Sequence, residues 1–181
     1  DRDGRGLALE RVRQHIQEHQ PSPVELPLFE SLGLVCGQDL FAAHAMPSVP
    51  RSTVDGYALD SQTTRTATPE SHVTLALSGQ IRPSTKSPEP LAPGSATMIL
   101  TGGPLPSGAD CVAPVEDIRV QADTLVLERP VAPREHVRLA GSDLKAGTRI
   151  VRRGEELSPQ ALAALAVSGS HTAKAFRPPK V

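Results

Sequence analysis

His72-Val73-Thr74-Leu75-Ala76-Leu77 alternates in the way of a half-buried strand, and Thr97-Met98-Ile99-Leu100 is a short, nearly continuous apolar run of the same class. Between them stand Pro83, Pro88, Pro90 and Pro93, which lack the ladder donor and restrict that stretch to irregular or edge structure. Further on, Ile118–Val120 and Thr124–Glu128 flank Gln121-Ala122-Asp123, a predicted β-hairpin. The middle third of the chain therefore reads as a small β domain.

Outward from this core the pattern changes. From Leu7 to His19, Leu9, Val12 and Ile16 recur at spacings of three and four, which predicts a helix that must stop before Pro21 and Pro23. Val24 to Ala45 is open between a short helix near Phe29–Leu32 and extended chain. Ser158 followed by Pro159 marks a second helix start, with Leu162, Leu165 and Ala166 as its expected buried stripe and Gly169 as its left-handed stop. Pro178-Pro179 ends regular structure.

A length of 181 residues at 19.1 kDa fits one large domain or two small ones. The only rings are Phe29, Phe41, Tyr57 and Phe176, so the core must be aliphatic. A net charge of −1 removes the basic footprint that nonspecific nucleic-acid binding needs, and so few aromatics offer no base-stacking platform. Cys36 and Cys111 have no partner spacing, which suits a reducing, cytosolic setting. The longest apolar run, Ala161–Val167, is far short of the roughly 20 residues of a membrane span. No signal-peptide pattern follows Asp1. His15 and His19 stand one turn apart, but Ile16 occupies the place where a zinc hydrolase carries its glutamate, so solvated helix histidines are the expectation.

No phosphate-binding glycine loop, dinucleotide fingerprint or nucleophile elbow is present, and three polar turns remain as candidate chemistry. The first, Pro47 to Ala58, gathers the hydroxyls of Ser52 and Thr53, the carboxylate of Asp55 and the single tyrosine, Tyr57, beside Gly56. Asp55 could hold Mg²⁺ through oxygen and Ser52 and Thr53 could hydrogen-bond an oxyanion, but the residues by themselves favour a hairpin turn, for which Asp-Gly is common and after which Tyr57 starts a strand. The second, Thr101-Gly102-Gly103-Pro104, opens from a strand end and could cradle an anion on its amides, or be a plain tight turn. The third, Arg138 to Asp143, lies in a run from Arg134 to Arg153 with a local excess of four positive charges, either an anion-attracting patch or a solvated surface.

In this order the turns resemble the amino-terminal and linker region of the molybdopterin molybdenumtransferase family, which includes the corresponding part of gephyrin. The resemblance rests on Asp55-Gly56-Tyr57-Ala58 with Ser52 three residues before it, and on Thr101 to Asp110 (TGGPLPSGAD) with Glu116 beyond. Arg138-Leu139-Ala140-Gly141-Ser142-Asp143 followed by Gly147, and Gly154 to Ser158 leading into the capped helix, complete it. It implies an α+β, mainly β fold. A compact β domain of residues 48–133 is inserted in an elongated, discontinuous linker region, 23–47 with 134–181, behind an N-terminal helix within residues 1–22.

It also implies an enzyme that inserts molybdenum from molybdate into adenylylated molybdopterin with release of AMP, assisted by Mg²⁺. Asp55, Thr101 and Asp143 would be catalytic, with Asp55 also the metal ligand. Ser52, Gly56, Tyr57, Gly102, Gly103, Pro104, Arg138 and Gly141 would bind substrate. The family works as an elongated homodimer in which this region faces the pterin-binding domain of the other protomer. That α/β domain would open near Lys180-Val181, and the Leu7–His19 helix would lean on it. Val49 stands where the family commonly has an aromatic, Val54 where it has methionine, and Ser142 replaces a carboxylate. The expectation is therefore the front part of an enzyme, inactive on its own; the alternative is a non-catalytic dimerisation or scaffold module of the same fold.

Overall fold

The structure, a computed structural model, describes residues 2–18 and 21–178. His19, Pro179 and Lys180-Val181, on which parts of the sequence reading fall, lie outside the described residues. The chain is mainly β, with two α-helices and thirteen strands among the described residues. It divides into two compact units, one formed by residues 45–145 and the other by 1–44 with 146–181.

The 45–145 unit holds eight strands: β4 (Arg51–Ser52), β5 (Gly56–Leu59), β6 (Val73–Ile81), β7 (Ser95–Ile99), β8 (Cys111–Pro114), β9 (Arg119–Gln121), β10 (Thr124–Leu127) and β11 (Val137–Arg138). Six of them form one sheet in the order β8-β5-β7-β6-β10-β9, and β4 pairs with β11 apart from it. Leu75, Leu125, Leu127, Leu59 and Cys111 pack on one side of that sheet. Ala58, Ile81, Ile99 and Val112 form a second cluster. The predicted hairpin is β9–β10, closed by Ala122 and Asp123. β6 runs past Leu77 to Ile81 through an irregularity at Ser78-Gly79 and lies parallel to β7. Parallel neighbours need a crossover of about a dozen residues or more, and the proline-rich stretch 82–94 supplies it.

The boundary expected at Pro133 falls later. Val137 pairs with Ser52 and Arg138 with Arg51, while the amides of Gly141 and Asp143 donate to the carbonyls of Pro47 and Met46, so residues 134–145 belong with the β unit. The expected basic patch is thereby divided. Arg134, Arg138 and Lys145 lie in this unit, and Arg149, Arg152 and Arg153 in the other, where Arg149 pairs with Asp39 at 3.1 Å and the Arg153 amide donates to the same carboxylate.

The second unit contains α1 (Arg2–Glu18), β1 (Val24–Pro27), β2 (Val35–Cys36), β3 (Leu40–Phe41), β12 (Arg149–Val151), α2 (Pro159–Val167) and β13 (Thr172–Phe176). β13 lies between β1 and β2, β12 pairs with β3, and a 3-10 turn over Leu28–Glu30 settles the open Val24–Ala45 reading as mostly extended. Leu26, Leu28, Leu40, Val151, Leu157 and Leu165 make its core.

α2 starts as its sequence dictates: the Ser158 hydroxyl accepts from the Ala161 amide at 3.2 Å, and Pro159 sits at the first helical position. It ends in a Schellman motif, with Ser170 N–H bonded to Leu165 O, Gly169 N–H bonded to Ala166 O, and Gly169 at φ +97°. The buried stripe differs from expectation at one place. Leu165 is buried and Ala161 and Leu162 pack on the core, whereas Ala166, a hundred degrees round from Leu165, is exposed. Ser158→Ala is expected to cost about 1 kcal/mol, read as a fall of a few degrees in Tm; an unchanged Tm would remove the cap from the account.

No side chain of α1 between residues 5 and 15 is buried, and Leu7, Leu9 and Val12 are all more than half exposed. A helix whose described side chains bury no apolar face is marginal in water. Removal of residues 1–20 is therefore expected to leave Tm within about 2 °C of the parent chain; a larger fall would show that α1 is packed in solution.

Candidate functional site

The pairing of β5 with β7 sets Gly56 opposite Ile99 and so brings the residue before one strand beside the residues after the other. There the backbone N–H and the hydroxyl of Thr101 both donate to Asp55 Oδ1, each at 2.7 Å. These two bonds hold the Asp55 carboxyl below its ordinary pKa, the amide contributing most.

Residues 50–52 run alongside 102–105. Ser52 N–H donates to Gly103 O, Gly102 N–H to Ser52 O, and Leu105 N–H to Pro50 O, at 3.0, 2.8 and 2.9 Å. On its other edge β4 meets β11, which places Arg51 directly across from Arg138. Arg138 in turn grips Asp143 Oδ1 through Nε at 3.0 Å and Nη2 at 2.7 Å, and the Ser142 hydroxyl donates to the same oxygen.

The result is one open cleft of about 540 Å³, lined among others by Ser48, Arg51, Ser52, Thr53, Thr101, Gly102, Arg138 and Asp143. The three polar turns thus meet at a single place inside the 45–145 unit, and Asp55 joins the cleft through Thr101.

The predicted site residues divide into two groups. Ser52, Thr101, Gly102, Arg138 and Asp143 line the cleft. The others build the elements around it. Gly56 and Tyr57 are in β5, where Tyr57 packs against the Leu75–Leu125 cluster. Gly103 and Pro104 are buried under the turn, and Gly141 is buried with its amide on the Pro47 carbonyl.

The amide cradle expected at Thr101-Gly102-Gly103 is not available to an anion. Thr101 N–H is spent on Asp55, Gly102 N–H on Ser52 O, and Gly103 N–H on Leu100 O at 2.8 Å. A backbone nest needs N–H groups that converge on empty space.

The cleft's free donors are side chains instead. Arg51 Nη1 donates to Gly102 O at 2.5 Å, and no carboxylate among the described residues lies within ion-pair distance of its guanidinium. The hydroxyls of Ser48 and Thr53 make no hydrogen bond within the described residues, whereas that of Ser52 is held by Val54 O. The Thr53 hydroxyl is among the candidates the sequence offers, whereas Arg51 and Ser48 are not, although both stand in the quoted Pro47–Ala58 turn. Their signal was a lone cation between two prolines and an acid.

For a divalent metal the donor set is sparse. No group of three His, Cys, Asp or Glu side chains converges among the described residues. Asp143 Oδ1 is taken by Arg138 and Ser142 and Asp55 Oδ1 by Thr101, so each acid keeps one carboxylate oxygen, Oδ2, without a hydrogen bond among the described residues. That suits Mg²⁺ only in the mode where water and substrate phosphates complete the shell.

Comparison with known proteins places this geometry. Residues 7–169 match the model of the MoeA N-terminal region, domains I and II. The chain belongs to that family. This MoeA N-terminal chain is 32% identical over 163 residues to molybdopterin molybdenumtransferase 2 of Mycobacterium tuberculosis, covering 85% of this chain and 40% of that protein. It is 29% identical over 179 residues to the molybdopterin molybdenumtransferase of Haemophilus influenzae, covering 97% and 43%. Two structures of the molybdopterin biosynthesis MoeA protein from Pyrococcus horikoshii superpose with TM-scores of 0.86 and 0.76, at 31% and 29% identity. They cover 94% and 87% of this chain and 44% and 42% of theirs. The MoeA N-terminal chain spans about two-fifths of the length of the curated relatives it matches.

Proposed function

We propose that this chain supplies one wall of the active site of an enzyme that transfers molybdenum from molybdate to adenylylated molybdopterin, releasing AMP. The observation that supports the reading is the meeting of Asp55, Thr101, Arg138 and Asp143, far apart in sequence, around one hydroxyl-lined and cationic cleft in a chain of the MoeA N-terminal family. The cleft is open, whereas a small-molecule site buries most of its ligand in a concave pocket. Its remaining walls come, on this reading, from a pterin-binding domain carried by a second protomer of a homodimer.

Within this arrangement the chain's own groups hold charge in place. Asp55, ionised and clasped to Thr101, fixes the turn that carries Gly102, and Arg138 is aimed by Asp143. Mg²⁺, when bound with substrate, would supply neutralisation of the pyrophosphate charge, and Asp55 Oδ2 and Asp143 Oδ2 are the carboxylate oxygens this chain would offer it. Incubated with adenylylated molybdopterin, molybdate and Mg²⁺, the 181-residue chain is expected to release AMP no faster than the solution without protein. Efficient release by this chain alone would overturn the two-part site.

A further inference from the structure

The cleft's electrostatics are unbalanced in a specific way. β4 and β11 place Arg51 and Arg138 directly opposite each other, and both side chains line the same cleft. Like charges in directly opposed positions of an antiparallel pair repel and destabilise the pair. Asp143 answers only one of them, through two hydrogen bonds to Arg138, and no other carboxylate among the described residues comes within ion-pair distance of either guanidinium. Arg51 uses one of its five N–H donors, on the Gly102 carbonyl, and that bond fixes the plane of the fork while leaving its other edge free. The hydroxyls of Ser48 and Thr53 stand in the same cleft with no acceptor among the described residues.

We propose that Arg51 is an anion-binding residue that, with Arg138, clamps one tetrahedral oxyanion in this cleft. A planar guanidinium presents parallel N–H donors at the spacing of two oxyanion oxygens, which a lysine cannot do. The opposed arginines then approach an anion from two sides, and the unanswered charge of Arg51 is the one the ligand neutralises. The shared chemistry is that of a phosphate group and of molybdate, and the assignment rests on the proposed function only for which of these is bound.

The test is calorimetric titration of the full 181-residue chain with inorganic pyrophosphate in one arm and molybdate in the other. The parent chain is compared with Arg51→Gln, Arg51→Lys and, as a charge control, Arg119→Gln on the exposed strand β9. Loss of a charge-assisted fork is expected to weaken binding about tenfold or more in Arg51→Gln, with Arg51→Lys intermediate and Arg119→Gln unchanged. The arm in which the effect appears identifies the anion. No binding by the parent chain in either arm, or equal affinity of Arg51→Gln and Arg119→Gln, overturns the clamp.

Should Arg51→Gln lose its melting transition with the Gly102 contact, Arg51→Lys decides, since it keeps charge and one donor: weaker binding supports the fork and parent-like binding overturns it. Failure of AMP release in the reconstituted enzyme leaves this binding result standing, and absence of binding leaves the AMP assay standing, so the two readings fail separately.

Discussion

Gly56→Ala is expected to be the most damaging single methyl that can be added to the 45–145 unit. A Cβ at Gly56 would sit 2.2 Å from the Ala113 carbonyl oxygen and 2.9 Å from Val112 Cγ1. The first of these neighbours is backbone and cannot swing aside. β5 is hydrogen-bonded on both edges, to β7 and to β8, so relief requires one of the two ladders to open. Overpacking of a tight core costs typically 1 to 3 kcal/mol and more where backbone must move, so a loss of about 3 kcal/mol is expected, with a fall in Tm on the order of 10 °C. The Asp55–Thr101 clasp sits at the mouth of that same ladder and should loosen with it.

Gly6→Ala is the matched control: its new methyl meets nothing within 4 Å, and alanine is the better helix former. Denaturant unfolding of the two variants beside the parent checks this, and a Gly56→Ala midpoint equal to that of Gly6→Ala would show that β5 accommodates a side chain there. Gly56, which the family resemblance implies as substrate-binding, is required here by strand packing in its own right.

That shift in meaning shows what one sequence can and cannot carry. β6, β7, β10 and α2 were legible because each is long enough for an apolar pattern or a cap to show, β9 was legible only as the partner of β10 across a turn, and Ser158-Pro159 with Gly169 bounds α2 at both ends. β2, β3, β4 and β11 are two residues each and have no period to read; they exist because the chain crosses itself there. The parallel pairing of β6 with β7 was equally hidden, since alternation reports which face is buried and says nothing of direction. The same gap displaced the unit boundary from Pro133 to Lys145, because the two-residue ladder of β4 and β11 is what ties Arg138 and Asp143 to the β unit.

The site divides along the same line. Carboxylates and hydroxyls in turn-rich sequence were legible as candidate chemistry, and Thr101, Arg138 and Asp143 do line one cleft. Whether an amide is free is a tertiary fact, decided by the carbonyl opposite, and so the expected Gly102-Gly103 cradle was drawn where Ser52 and Leu100 already accept those donors. Tyr57 was legible as the single tyrosine but not as the half of β5 that faces the Leu75–Leu125 cluster while Ala58 faces the other. Arg51 needed its partner across the ladder before its charge meant anything.

Asp55→Asn separates the two things that Asp55 does. Asparagine keeps an acceptor oxygen for the Thr101 amide and hydroxyl and removes the charge. On the proposed function, an active site completed by a pterin-binding domain is expected to release AMP about 10²-fold more slowly with this variant, the scale on which a preorganised charge acts in a water-poor site, while Tm at neutral pH changes little. Thr101→Ala leaves the amide bond to Asp55 intact and is expected to cost less.

The acid side gives an independent reading. The Thr101 bonds hold the folded-state pKa of Asp55 below its ordinary value of 3.8, so the clasp contributes its full stability above that value and loses it as pH falls through the lower folded one. The carboxylate therefore stays ionised across the working range, and Asp55 sets no acid limb of activity above about pH 4. Asp55→Asn, with nothing to protonate, should lose less stability than the parent chain between about pH 4 and pH 2. Thermal melts across that interval measure the difference. Parallel curves would mean that the Thr101 hydrogen bonds do not favour the ionised carboxyl over its protonated form, and the electrostatic role assigned to Asp55 would fall with them.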